Sequence, residues 1–190
     1  MISLNNIPDK TEFKDTTSLK FKQDIIEFFK DKNLDTCLEI GTNHGWTTRI
    51  LSMLFKEIYT VDYTLSNTQS AKTNNSDRDN IIYYTADAYK KETFIGMPKM
   101  DVVFIDCMHT YDTVLYDINT ALSLFNEEKG MYLIFDDYGH PTSTGVKEAI
   151  LKSISEGLKV EKYIGQESGY QYNSSSTLID YEGIILSYGK

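Results

Sequence analysis

A chain of 190 residues with 41% hydrophobic and 13% aromatic content holds enough apolar material for one buried sheet flanked by helices, which excludes a disordered segment. Its net charge of −9, with no Lys/Arg cluster longer than two, argues against a nucleic-acid partner, since phosphate binding is dominated by a basic patch. No run approaches the ~18 apolar residues of a membrane span, the opening MISLNNIPDKTEF lacks the order of a signal peptide, and the two cysteines, Cys37 and Cys107, form no C-x-x-C pair, so the expectation is a cytoplasmic protein without a membrane partner.

Hydrophobic periodicity then gives helices and strands in alternation. Residues 18–31 repeat apolar groups at helical spacing through Leu19, Ile25, Ile26 and Phe29. TCLEIG (36–41) reads as a short buried strand, WTTRILSMLFK (46–56) as a helix and EIYTVDY (57–63) as a strand, followed by a polar stretch to about residue 80. NIIYYTADA (80–88) and MDVVFID (100–106) are strands, and 110–125 is a helix with Val114, Leu115, Ile118, Leu122 and Phe125 on one face. GMYLIFDD (130–137), a helix near 143–156, and strands at 159–165 and 182–189 complete the chain, with YNSSST (172–177) as an exposed loop. Continuous apolar strands alternating with helices predict an α/β fold: a parallel sheet covered on both faces, in one domain over 1–190 with 1–17 as an extension. The last two strands have no helix between them and are expected to pair antiparallel.

The first strand runs into LEIGTNHGW (38–46), which opens a helix. Gly41 and Gly45 allow a tight turn and close approach to a ligand, and Asn43, where a dinucleotide fingerprint carries its middle glycine, tolerates positive φ. Acids end the next strands as well: Asp62, Asp87 and Asp106, with the pair Asp136–Asp137 after the fifth. In open α/β sheets ligands sit at the carboxyl ends of strands, so these acids point towards one crevice. Exposed strand ends often carry acids, but that explains one or two such positions better than five.

Over residues 18–189 this pattern resembles the class I S-adenosylmethionine-dependent methyltransferases. The resemblance implies a three-layer Rossmann-like sandwich with a seven-stranded sheet, mostly parallel, with one antiparallel strand. It also implies that Glu39, Gly41, Thr42, Asn43 and Gly45 hold the methionine part of S-adenosylmethionine, Asp62 and Tyr63 the ribose, and Asp87 and Ala88 the adenine, with Asp106 beside them.

Three carboxylates at one rim need a proton, a basic partner or a cation, since two of them about 4 Å apart repel by about 4 kcal/mol at an effective dielectric of 20. All-oxygen ligands suit a hard ion such as Mg²⁺, Ca²⁺ or Mn²⁺. The spacing resembles metal-dependent small-molecule O-methyltransferases of the catechol and macrolide-sugar types, in which positions like Asp106, Asp136 and Asp137 hold a divalent metal, Mg²⁺ for preference. The base of that subgroup follows the first acid by three residues, which is His109 here, as in the macrolide-sugar type. Duller readings stand beside these. Asp137 could cap the following loop, His109 could be an exposed residue before a helix capped by Thr110, and His44 and His140 read as loop residues. A zinc site of Cys107, His109 and His140 is conceivable, and Tyr111, Tyr138, Tyr170 and Tyr172 are candidate substrate contacts among fourteen tyrosines. The reading is therefore an O-methyltransferase for a sugar or phenolic hydroxyl. A nicotinamide-dependent oxidoreductase and a non-catalytic domain retaining the fold are the rivals. The short extension leaves little material for a lid, so the acceptor site is either open or completed by another subunit.

Overall fold

The computed structural model describes residues 4–13, 15–173 and 176–190. Its elements run α1 (Leu19–Phe29), β1 (Thr36–Ile40), α2 (Trp46–Leu54), β2 (Glu57–Asp62), α3 (Leu65–Asn74) and β3 (Ile81–Thr85). After a short 3₁₀ turn come β4 (Val102–Ile105), α4 (Tyr111–Ser123), β5 (Met131–Phe135), α5 (Thr144–Ser155) and β6 (Lys159–Ile164). The small strands β7 (Gln171–Asn173) and β8 (Ser176–Thr177) precede the final strand, β9 (Gly183–Tyr188).

Seven strands form one sheet in the order β3-β2-β1-β4-β5-β9-β6. The pairs β2–β3, β1–β2, β1–β4 and β4–β5 are parallel, and β9 runs antiparallel between β5 and β6. This is the seven-stranded, mostly parallel arrangement anticipated from the resemblance, with its one antiparallel strand near the C-terminus. The chain winds outward from β1 to β3 and then returns to β4, so strand order reverses between β1 and β4. A crevice opens there, above the carboxyl ends of the strands.

Side-chain alternation along the strands sorts the core into two layers. Leu38, Ile40, Val103, Ile105, Leu133 and Phe135 face α4 and α5 through Val114, Ile118, Ala149 and Ile150. Cys37, Ile58, Val102, Phe104 and Ile134 face α1 and α2 through Phe21, Ile25, Phe29, Ile50 and Leu51. Each such fully buried side chain contributes roughly 1.5–3 kcal/mol, which holds the strand ends, and the acids on them, in fixed register.

Two readings need correction. The polar stretch after β2 contains α3, which buries only Thr68 and Ala71 and so shows no apolar stripe. Its far end does positional work: Asn74 Nδ2 donates to His44 O and Asn75 Nδ2 to Gly45 O, each at 2.9 Å. Residues 172–177 are not simply a loop either, because β7 and β8 pair antiparallel; residues 174–175 lie outside the described residues. Both cysteines are free, and among the described residues no helix is long and apolar enough to cross a membrane.

Candidate active site

Gly41 leaves β1 at φ +98°, and a Cβ there would stand 1.9 Å from the backbone oxygen of Asp106. Only glycine lets the first loop press against the end of β4 so closely. Asn43 follows at φ +47° and Gly45 at φ +77°, so the loop makes its turn with an asparagine where a dinucleotide fingerprint carries a glycine. Asp62 locks it: its Oδ2 accepts from the Asn43 backbone N–H at 2.9 Å and its Oδ1 from that of Thr64 at 2.8 Å.

Glu39 lies under this loop with no solvent exposure. Its Oε2 accepts from the Thr48 and Thr60 hydroxyls, both at 2.5 Å, while Oε1 has no partner. Burial pushes its carboxyl up to about 8, against the pull of those two hydrogen bonds and helped by the charges of Asp106 and Asp62. A buried acceptor left open costs ~1–3 kcal/mol, so it marks a place where a cationic or donor group belongs.

Two cavities meet at Gly41, Asn43, Asp106 and His109. The larger, about 590 Å³, is lined by Asp62, Tyr63, Asn67, Asp87, Ala88 and Tyr89. Tyr63 is 77% exposed and flanks the opening. The smaller, about 290 Å³, joins Glu39 and the loop residues Thr42, Asn43, His44 and Gly45 to Asp106, His109, Asp136, Asp137 and His140. Every residue expected from the sequence to hold the cofactor, the metal or the proton thus lines one cavity or the other.

The acidic rim differs in detail from the expected trio. Adjacent strand residues normally point to opposite faces, but Asp137 adopts φ +58° and turns its carboxylate back beside β4. There Asp106, His109 and Asp137 bring ligating atoms within 4.8 Å of one another. His109 Nε2 lies 3.5 Å from Asp106 Oδ1 and 3.3 Å from Asp137 Oδ2. The Asp106 contact, joined by the charge of Asp137 and opposed by burial, raises the imidazole to about 8. Asp136 is not part of this cluster. It is buried, its Oδ1 has no partner, and its Oδ2 faces Lys10 Nζ at 3.6 Å. Burial drives its carboxyl well above the ordinary range, and Lys10 only partly opposes the shift.

The duller readings fare unevenly. Thr110 does cap α4, accepting from Thr113 N, and Ser143 Oγ donates to Asp137 Oδ2 at 3.4 Å, so Asp137 and His109 sit among capping contacts as well. The zinc trio is not assembled: Cys107 lines the larger cavity and His140 the smaller. Tyr111, Tyr138, Tyr170 and Tyr172 line neither cavity; Tyr63 and Tyr89 do.

The expectation of too little material for a lid is overturned. Residues 4–13 and 15–18 form a strap beside the smaller cavity and contribute Lys10, Asp15 and Thr16 to its lining. Asp9 folds the strap by accepting from Lys10 N and Leu19 N, and Phe13 packs edge-on against His44 with ring centres 5.0 Å apart. The ammonium of Lys22, buried beneath, donates to Pro8 O, Thr16 Oγ1 and Thr17 O; burial pulls it down to about 8. No periodicity or motif marks this irregular segment, so Lys10 carried no signal in the sequence.

A family model described as a methyltransferase domain matches residues 38–138, over half of the chain. No curated protein matches it. Among solved structures, it is similar to the N-methyltransferase NodS from Bradyrhizobium japonicum WM9 in complex with S-adenosyl-L-homocysteine (15% identity, 98% of this chain and 91% of that one, TM-score 0.71). A provisionally assigned O-methyltransferase from Klebsiella pneumoniae gives 17% identity, 92% and 81% coverage and a TM-score of 0.69. An rRNA methylase from Streptococcus thermophilus gives 15% identity, 92% and 100% coverage and a TM-score of 0.62. At such identities the likeness establishes the fold, and the differing acceptors in those descriptions leave the acceptor here to be argued from the site.

Proposed function

Because the chain belongs to the methyltransferase-domain family, we propose that it is an S-adenosylmethionine-dependent O-methyltransferase acting on a small-molecule hydroxyl with the help of a divalent ion. One observation carries this reading: the buried, half-partnered Glu39 and the Asp106–His109–Asp137 cluster line the same cavity. A ligand anchored on the first is thereby presented to the second.

The residues fit the cofactor. Glu39 Oε1 offers a buried acceptor to a methionine ammonium, Asp62 offers carboxylate oxygens to ribose hydroxyls, and Asp87 and Ala88 lie further along the larger cavity on the adenine side. When bound, S-adenosylmethionine supplies the electrophilic methyl. The carboxylates of Asp106 and Asp137, which lie in one cluster with His109, suit a hard divalent ion, probed most simply with Mg²⁺. Bound there, such an ion would lower the pKa of a hydroxyl.

The chain's own groups do the rest. His109, in its neutral form, takes the acceptor's proton, and the neighbouring carboxylates of Asp106 and Asp137 stabilise the imidazolium that results. The strap and the first loop form facing walls of the cavity. Its lining is mostly polar, through Asp15, Thr16, His44, Asp136 and His140, with Trp46 and Phe104 as its aromatic members. That favours a sugar or glycoside hydroxyl over a phenol.

An acceptor screen that follows S-adenosylhomocysteine release tests the reading, with Mg²⁺ or with EDTA. We expect release with hydroxyl acceptors, strongest with sugars, and suppression by EDTA. Binding of S-adenosylhomocysteine with turnover of amines alone would overturn O-methylation, and full activity in EDTA would overturn the metal. Saturable NAD binding without S-adenosylhomocysteine binding would revive the oxidoreductase alternative.

A further inference from the structure

The strap places a single ammonium among the acids of the rim. Lys10 Nζ lies 3.6 Å from Asp136 Oδ2, 3.6 Å from Asp137 Oδ1 and 3.8 Å from Glu182 Oε1. Its side chain is only 14% exposed and its ammonium sits 4.7 Å from the centre of the Tyr172 ring. Among the described residues it is the sole lysine or arginine lining the smaller cavity, against five acids: Asp15, Glu39, Asp106, Asp136 and Asp137.

The position is built, not incidental. Glu182 is itself fixed, accepting from Ser18 N at 2.8 Å, from Ser18 Oγ at 2.5 Å and from Gln166 N at 3.1 Å. Asp9 bends the strap directly before Lys10, and Lys22 ties down the backbone on either side through Pro8 O and Thr17 O. Ile7 is buried in the core layer that faces α1 and α2. Glu12 N and Phe13 N both donate to Asp9 O, which closes a turn with Lys10 inside it.

We propose that Lys10 is a tethered counter-ion that competes with a divalent cation for the Asp136 and Asp137 carboxylates. This rests on the reading above that the rim takes a divalent ion. The geometry has two consequences. Asp136, engaged by Lys10, is withheld from the ligand cluster, which accounts for its separation from Asp106, His109 and Asp137. A divalent ion near Asp137 must also share that carboxylate with the Lys10 ammonium or displace it. The same carboxylates therefore serve the seated ammonium and the bound ion in turn.

Titration of Mn²⁺ into the full-length protein, followed calorimetrically and by the loss of the free-ion paramagnetic resonance signal, tests this. Wild type, Lys10→Met and Lys10→Arg would be compared, with S-adenosylhomocysteine binding measured on each. Removing a like charge at this distance is expected to tighten Mn²⁺ by at least roughly tenfold in Lys10→Met. Lys10→Arg keeps the charge and should stay within about threefold of wild type. Retained S-adenosylhomocysteine affinity shows that the variants are folded; if Lys10→Met does not fold, Lys10→Gln takes its place in the same comparison. Equal Mn²⁺ affinity in wild type and the neutral variant, or no Mn²⁺ binding to either, overturns the competition. Failure of methyl transfer is separable, since it would appear as loss of S-adenosylhomocysteine binding or turnover without any change in the ratio of Mn²⁺ affinities.

Discussion

Glu39 should be a residue that weakens the empty protein and strengthens the loaded one, and Glu39→Gln separates the two effects. Burial moves its carboxyl from an ordinary 4.5 up to about 8. The folded state therefore holds this proton longer than the unfolded chain does. Its contribution is fully present below pH 4.5 and is lost as the pH climbs through about 8. At 1.36 kcal/mol per pH unit the loss by pH 8 is on the order of 4–5 kcal/mol. Glutamine removes the charge and keeps an oxygen for Thr48 and Thr60, but still buries a polar atom without a partner, so a net gain of ~2–3 kcal/mol is the reasonable figure. For a chain of this size that is ~5–10 °C in melting temperature. Scanning calorimetry of the ligand-free proteins should show the variant and wild type melting together near pH 4.5 and diverging in favour of the variant by pH 8. Affinity for S-adenosylhomocysteine should move the other way, falling roughly 10–100-fold with the loss of a charge-assisted bond worth ~1.5–3 kcal/mol. A variant that melts at or below wild type at pH 8, or a difference independent of pH, would refute the argument from burial.

Asp62→Ala removes both a ribose acceptor and the bond that holds Asn43 N, so calorimetry should show a loss of S-adenosylhomocysteine affinity of at least about tenfold; unchanged affinity removes Asp62 from the site. With Mg²⁺ present, turnover should fall at acid pH through a single ionisation, because only neutral His109 accepts a proton; its acidic neighbours raise that ionisation to about 8 in the ion-free protein and a bound cation lowers it from there. His109→Ala should lose ~10²–10⁴ in rate together with that limb, and a variant within threefold of wild type would move the base elsewhere, with His140 next to test. Gly41→Ala drives a Cβ to 1.9 Å from Asp106 O at φ +98°, so urea unfolding should show a loss above ~2 kcal/mol; a silent substitution would mean that the loop does not press on β4 as described.

Much of the fold was legible in the sequence for a simple reason. Strands buried on both faces must be apolar throughout, and the amphipathic helices must carry a stripe, so TCLEIG, MDVVFID and MYLIF could be placed and their order fixed a doubly covered sheet. The acids at the strand ends were legible because a run such as LIF can end in Asp136–Asp137 only where the chain leaves the core. Helix α3 was not legible, since it packs through Thr68 and Ala71 and holds its neighbours by Asn74 and Asn75, which write no period.

What only the tertiary structure decided is how the acids are partnered. The sequence lists Asp106, Asp136 and Asp137 as equals; folding puts Asp137 at φ +58° beside His109 and buries Asp136 against Lys10. Lys10 lies 126 positions before Asp136 in an irregular strap, and neither propensity nor periodicity connects residues so far apart. Their pairing depends on Coulomb forces and burial acting across space, and those are set only once the strap, β5 and β9 are packed together.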